Sequence, residues 1–233
     1  MNGLQRRRKT WYFVTPESKL RDLYNILHLP YTAMVLAFVL AGAAAAPHIH
    51  LDRLAGTLLA YFVGLGIGVH ALDQLEPAGS HYVERLGSHE LVVMAILGLG
   101  GAAAIGLYFT TTVTEWLFPL IAAGLFFAVA YPLPSRVGHG WFHNDLSFSF
   151  SWGFLPLVTS YFVNSVELTP LAVGAGTLAA LAAAAEIRLS RRARAARKEE
   201  PPGASFGHLE SELKLLVTAT CSVALLMTAA KLV

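Results

Sequence analysis

The sequence predicts an all-α, polytopic membrane helix bundle of about seven transmembrane helices. Three observations predict it. Of 233 residues, 55% are hydrophobic and only 14% are charged, against about a quarter charged in a soluble domain. Mean hydropathy is +0.54. Seven apolar stretches recur along the chain, each close to the ~20 residues that a ~30 Å hydrocarbon core demands of a spanning helix.

The stretches run 30–46, 54–72, 91–111, 113–131, 146–163, 168–187 and 213–232. Alanine and glycine stud them: Ala43 to Ala46 in the first, Gly64, Gly66 and Gly68 in the second, Gly98, Gly100 and Gly101 in the third, Ala182 to Ala185 in the sixth. Small residues let helix backbones approach closely in lipid. Transmembrane β-strands would instead alternate in hydrophobicity over about ten residues. Thr110, Thr111 and Thr112 separate the third and fourth stretches and predict a tight reversal. Pro77, Ala78 and Gly79 end the second helix, and His208, Glu210 and Glu212 look like a cap before the last. Residues 1–28 read as a basic tail and 29–233 as one membrane domain with polar loops at 72–90, 132–145 and 188–212.

Charge sets the orientation. With the N-terminus in the cytoplasm, fifteen basic residues fall inside and only Arg53 and Lys231 outside. That asymmetry is the positive-inside signature of an odd number of spans, with the C-terminus on the opposite side. Seven of nine histidines and twelve of fifteen carboxylates lie on the same inner side. The basic run Arg6, Arg7, Arg8 and Lys9 precedes a polar stretch; a secretory signal would place an apolar segment there. Trp11, Tyr12 and Phe13 suit the interface.

Several function classes are excluded or unsupported. A net charge of +2 offers no nucleic-acid footprint. A single cysteine, Cys221, builds neither a disulfide framework nor a Cys-based zinc site. No GxxxxGK[ST] loop, HExxH motif or GxSxG elbow is present. The spacing of Gly64, Gly66 and Gly68 lies inside an apolar stretch and is a packing pattern, and the histidines do not form the repeated boxes of a membrane desaturase.

Three polar clusters remain. The first, GVHALDQLEPAGSHYVERLGSHE at 68–90, sets His70, Asp73 and Glu76 three residues apart, then His81, Glu84, His89 and Glu90. Residues three apart share a helix face. Ionisable groups at membrane depth are functional candidates by default. The second, YPLPSRVGHGWFHND at 131–145, carries Arg136, His139, His143 and Asp145. Arg136 suits either a phosphate or a lipid headgroup. The third begins at Glu186, after which RLSRRARAARK supplies six cations and no carboxylate. Such a run also reads as a flank against anionic lipid. Carboxylates alone suit Mg²⁺, whereas added imidazoles suit Zn²⁺, Fe or Mn²⁺.

In order and spacing, the chain resembles the UbiA superfamily of intramembrane prenyltransferases over residues 20–190. LRDLYNILHLPYTAMVLAFVLAGAAAA is similar to that family's first helix, and LLAYFVGLGIGVHALDQLE stands at its second helix and first aspartate-rich motif. ERLGSHELVVMAILGLGGAAAIGLY, FFAVAYPLPSR and SFSWGFLPLVTSYFV resemble the segments that follow, the middle one at the family's YP-basic signature. The resemblance implies a transferase or cyclase acting on an isoprenoid diphosphate with a divalent metal at the cytoplasmic face. By the same resemblance Asp73 and Glu186 are the catalytic carboxylates and Arg136 holds the diphosphate; Arg85 is a second candidate for substrate binding. The metal ligands come from His70, Asp73, Glu76, His139, His143, Asp145 and Glu186. The metal is Mg²⁺ for ordinary prenyl transfer, or Zn, Fe or Mn if the histidines are ligands. His70 stands where the family has Asn or Asp, and the six cations stand where it has its second carboxylate motif. Two other readings stay open: an intramembrane His/carboxylate metalloenzyme acting on a lipid as hydrolase or oxidase, and a non-catalytic lipid-binding membrane protein.

Overall fold

A computed structural model describes residues 12–13, 18–77, 82–133, 140–199 and 207–233. The described residues form helices and connecting turns, without a strand. In lipid a helix satisfies its own backbone donors and acceptors, which an open strand cannot. The elements are α1 (Lys19–Ile26), α2 (Leu29–Ala45), α3 (Leu51–Gln74), α4 (Ser88–Thr112), α5 (Glu115–Ala130), α6 (Asp145–Ser165), α7 (Pro170–Glu199) and α8 (Gly207–Leu232).

Five helices are long and apolar enough to cross a membrane: α3, α4, α6, α7 up to Ala196, and α8. The pair α1 and α2 makes a sixth if counted as one span bent by 45°. The chain is an integral membrane protein. The stretch 113–131, expected as a full span, folds as the shorter apolar helix α5. Its first turn is a tight 3₁₀ turn in which the Thr114 hydroxyl accepts from the Trp116 N–H. The expected reversal also moves. Thr110, Thr111 and Thr112 each donate their hydroxyl back to a carbonyl of α4 itself. Such back-bonding lets threonine sit within a helix, so the turn falls at Val113 and Thr114.

The helix α2 is central, packing against α8, α6 and α3, while α7 lies against α6 and α8. The core joins Met34, Val35 and Phe38 of α2 to Leu65, Trp152, Leu157, Ala183 and Val217 of its neighbours. Leucines such as Leu97, Leu178 and Leu226 point outward, as a lipid-facing surface requires. Small residues set the closest approaches. A Cβ on Gly98 of α4 would stand 2.5 Å from the Val63 carbonyl oxygen of α3. One on Gly153 of α6 would stand 2.5 Å from the Ala179 oxygen of α7.

Two stretches of wide π-turns interrupt the α-helical winding, Phe62–Val69 in α3 and Phe150–Phe154 in α6. Each abuts polar or aromatic side chains that face the bundle interior, a frequent place for π-turns. At His28, between α1 and α2, the backbone turns left-handed (φ 42°). That turn sets the kink between the two helices, and the His28 ring packs against Tyr31 and His70.

Candidate functional site

At the end of the bundle that carries the polar loops lies a cavity of about 380 Å³, within the size range of small-molecule sites. Helical phase selects what lines it. From α3 come Val69 and Asp73, four apart, with His70 beside them, and Glu76 follows in the turn just past the helix. From α7 come Ile187, Arg191 and Arg194, spaced four and three apart. The α1–α2 kink supplies His28 and Tyr31, α6 supplies Phe148 and Trp152, and the loops supply Tyr82, Tyr131 and His143. Segments from along most of the chain therefore meet at one place.

His70 is 5% exposed, and its Nδ1 lies 3.2 Å from the Gly66 carbonyl oxygen. That carbonyl fixes the tautomer: the proton sits on Nδ1 and the lone pair on Nε2. The ring packs 5.1 Å from His28 and 5.3 Å from Trp152, centre to centre. His143 is held likewise, with Nδ1 2.8 Å from the Tyr131 carbonyl and its ring stacked on Tyr131 at 4.6 Å. Phe148 stacks on Trp152 at 5.3 Å, and Tyr31 meets both edge-on. The walls are thus largely aromatic.

The Tyr82 loop is pinned from two sides. Tyr82 donates its backbone N–H to Gln74 at 3.0 Å, and its carbonyl accepts from Asn25 at 3.3 Å. One Asp22 oxygen then accepts from the backbone N–H groups of Glu84, Arg85 and Leu86 at 3.0, 2.5 and 3.1 Å. Phe13 stacks on the Tyr82 ring at 4.8 Å, and Tyr12 meets His28. Burial first, and then the nearby Asp73 carboxylate, push the Tyr82 phenol well above its ordinary value. Burial likewise pushes Tyr131 up to about 12. Both phenols are protonated hydrogen-bond donors at neutral pH.

The arginines of α7 are arranged by charge. Arg188 donates to Asp145 at 3.0 Å, and Arg191 pairs with the same carboxylate. Arg191 also reaches the Tyr131 side chain. Arg194 lies within electrostatic reach of His28, Tyr31 and Tyr131. Among the described residues no carboxylate lies within ion-pair distance of Arg194.

The expected site residues divide as follows. His70, Asp73, Glu76 and His143 line the cavity. Asp145 sits outside its lining, both oxygens engaged by Arg188 and Arg191. Glu186 is 2% exposed but turned about 100° along α7 from Ile187. It lies near Tyr31 of α2 and Cys221 of α8, outside the lining. The side chain of Arg85 is exposed, and only its backbone is tied to Asp22. Glu90 closes the first turn of α4 by accepting from the Gly87 N–H and pairing with Lys19. Arg136, His139 and His81 lie outside the described residues.

Among the described residues no three His, Cys, Asp or Glu side chains come close enough to hold one ion. Among the described residues, the cavity that Asp73 and Glu76 line also holds arginines from α7 and not a second carboxylate cluster.

Sequence reading missed Arg191 and Arg194 as site residues, together with His28, Tyr31, Tyr82 and Trp152. The signal for the arginines was available in the spacing of Ile187, Arg191 and Arg194, which marks one helix face if the helix runs on past the membrane. It does run on, to Glu199, because alanine and arginine are strong helix formers and Pro201 comes only later.

A second, apolar cavity of about 100 Å³ lies deeper in the bundle, lined by residues such as Leu65, Leu99, Ile121, Ala128 and Ser151. Leu65 is one turn before Val69, Ala128 three residues before Tyr131, and Ser151 next to Trp152. A greasy recess thus lies below the polar cavity, sharing α3 and α6 with it and reaching α5 just before Tyr131. No protein-family model matches the chain, and no curated protein or solved structure matches it either.

Proposed function

We propose that this chain is a divergent UbiA-like intramembrane enzyme, a transferase or cyclase acting on an isoprenoid diphosphate. In this reading seven segments cross the membrane, counting the bent α1–α2 pair as one span and α5 as a short one. The N-terminus is cytoplasmic, and the polar cavity opens at the cytoplasmic face, where the basic residues cluster.

One observation carries the proposal. The cavity at the polar end gathers carboxylates from the end of α3 and the turn after it, guanidinium groups from α7 and an aromatic lining, with an apolar recess below. An amphiphile with an anionic head and a hydrocarbon chain matches that layout. In the reaction the C1–O bond of the allylic diphosphate breaks, and its electron pair leaves with the diphosphate. The allylic carbon then bonds to the acceptor nucleophile, or to a double bond of its own chain in a cyclase. The proton released in that step goes to the Nε2 lone pair of His70, whose tautomer Gly66 holds. Aromatic faces at Tyr31, Phe148 and Trp152 offer their negative quadrupole to the carbocation, and Asp73 adds a full negative charge.

The test is release of pyrophosphate from geranylgeranyl diphosphate by detergent-purified protein, read over a panel of prenols and phenolic acceptors. Release in the wild type that is lost in His70→Ala and Asp73→Asn, with melting temperatures unchanged, supports the reading. Absence of both binding and release overturns it. Binding without release under any acceptor would favour a second reading, a lipid-binding protein without turnover. The arginines that share the cavity with Asp73 and Glu76 favour that second reading.

A further inference from the structure

We infer that Arg191 and Arg194 form the phosphate-binding wall of the cavity and neutralise the bound anion without a divalent metal. The inference rests on the proposed isoprenoid diphosphate reading and gives it a different electrostatic mechanism.

Three features of the geometry lead here. Arg191 and Arg194 lie three residues apart on α7, on the face that Ile187 directs into the cavity. Their charges are unequally satisfied. Arg191 is held by Asp145 and Tyr131, whereas Arg194 has no carboxylate partner among the described residues. A partly buried guanidinium without a counter-ion calls for an anionic ligand, and its fork suits two phosphate oxygens. Finally, a separate part of the lining carries Asp73 at the end of α3 and Glu76 in the turn after it.

The cavity is therefore polarised, cationic on the α7 side and anionic on the α3 side. Ionisation of an allylic diphosphate separates charge in the same sense. The leaving diphosphate gains negative charge against the arginines while the hydrocarbon fragment turns positive near Asp73 and the aromatic faces. Fixed charges aimed at developing charge are the strongest common source of rate enhancement. Asp145 is a positioning residue in this scheme. By clamping Arg188 and Arg191 at the start of α6, it holds the last turns of α7 over the cavity.

Geranylgeranyl diphosphate binding to the full-length protein, measured by native mass spectrometry and thermal shift, tests the inference with EDTA and then with excess Mg²⁺. The affinities in the two conditions are expected to agree within about twofold. Arg194→Gln should weaken binding by about tenfold or more, as loss of a charge-assisted contact does. Arg194→Lys should recover part of it, and exposed Arg192→Gln should leave it unchanged. Each variant's ligand-free melting temperature reports its folding.

Binding that appears only with Mg²⁺ overturns the inference and leaves the proposed function standing. Equal loss of binding in Arg192→Gln would reduce the effect to bulk charge and also overturn it. Phosphatidylglycerol is the second probe. If it stabilises the protein in EDTA through Arg194 while the diphosphate does not, the anion site stands and the isoprenoid reading falls. If neither lipid binds in either condition, both fall.

Discussion

Asp22 is the residue whose removal tests the site's architecture most directly. It is wholly buried (0% exposed) in α1, sixty residues from the loop it organises. One of its oxygens collects three backbone N–H groups, from Glu84, Arg85 and Leu86. Hydrogen bonds to a charged group contribute about 1.5–3 kcal/mol each. Three donors share one oxygen and Glu84 and Arg85 face solvent, so water replaces part of what is lost. The net local cost of Asp22→Ala is put at about 3 kcal/mol, below the roughly 4.5–9 kcal/mol that three full-strength bonds would sum to. At 1.4 kcal/mol per decade, this corresponds to about a hundredfold rise in the opening equilibrium of the loop. Hydrogen exchange on the peptide covering residues 82–87 reads that equilibrium directly. Asp22→Asn keeps one acceptor oxygen and should give a smaller rise. Because Tyr82 is held by the same loop, ligand affinity should drop in parallel. Unchanged exchange at these three amides in Asp22→Ala would refute the argument that this carboxylate pins the loop.

Further predictions follow from packing and from buried polar groups. Gly98→Ala drives a Cβ to 2.5 Å from the Val63 carbonyl oxygen, whereas one on Gly100 meets nothing within 4 Å. Gly98→Ala should cost about 1–3 kcal/mol and Gly100→Ala next to nothing, both read as thermal denaturation midpoints in one detergent. His70→Asn keeps a donor for the Gly66 carbonyl but removes the basic nitrogen. It should therefore fold normally and lose turnover, and normal pyrophosphate release in this variant would remove His70 from the chemistry. One oxygen of Glu186 is buried without a hydrogen-bond partner, so Glu186→Leu should match or exceed wild-type stability. A sharp fall in melting temperature would show that its carboxyl is structurally required.

Much of the bundle could be read from the chain. The small residues at Gly68 and Gly98 mark true close contacts, and His70 and Asp73 do line one cavity, because both signals depend only on helical periodicity; Glu76 joins them from the turn just past the helix. Reading failed where the deciding contact is remote. Nothing near Asp22 announces that it will bind amides sixty residues on. Asp145 looked like a ligand because its neighbours include histidines, yet its partners are arginines more than forty residues away. Thr110 to Thr112 looked like a turn because threonine is a poor helix former; their back-bonded hydroxyls let α4 continue. The arginines of α7 looked like a flank because local composition cannot tell a helix that ends at the membrane surface from one that extends beyond it.

The π-turns of α3 have a consequence for how this site is kept or lost. Each residue along an α-helix advances the side-chain direction by about 100°, and a π-turn amounts to one residue inserted into that count. Reversion of the stretch Phe62–Val69 to even α winding at unchanged length would lose that offset. The half of the helix before the π-turns would keep its place against α4. The half after them would swing by roughly a quarter turn, carrying His70, Asp73 and Glu76 together away from the arginines. Removing one residue from these eight along with the π-turn would restore the phase, so winding and length here are coupled settings that place all three polar groups together.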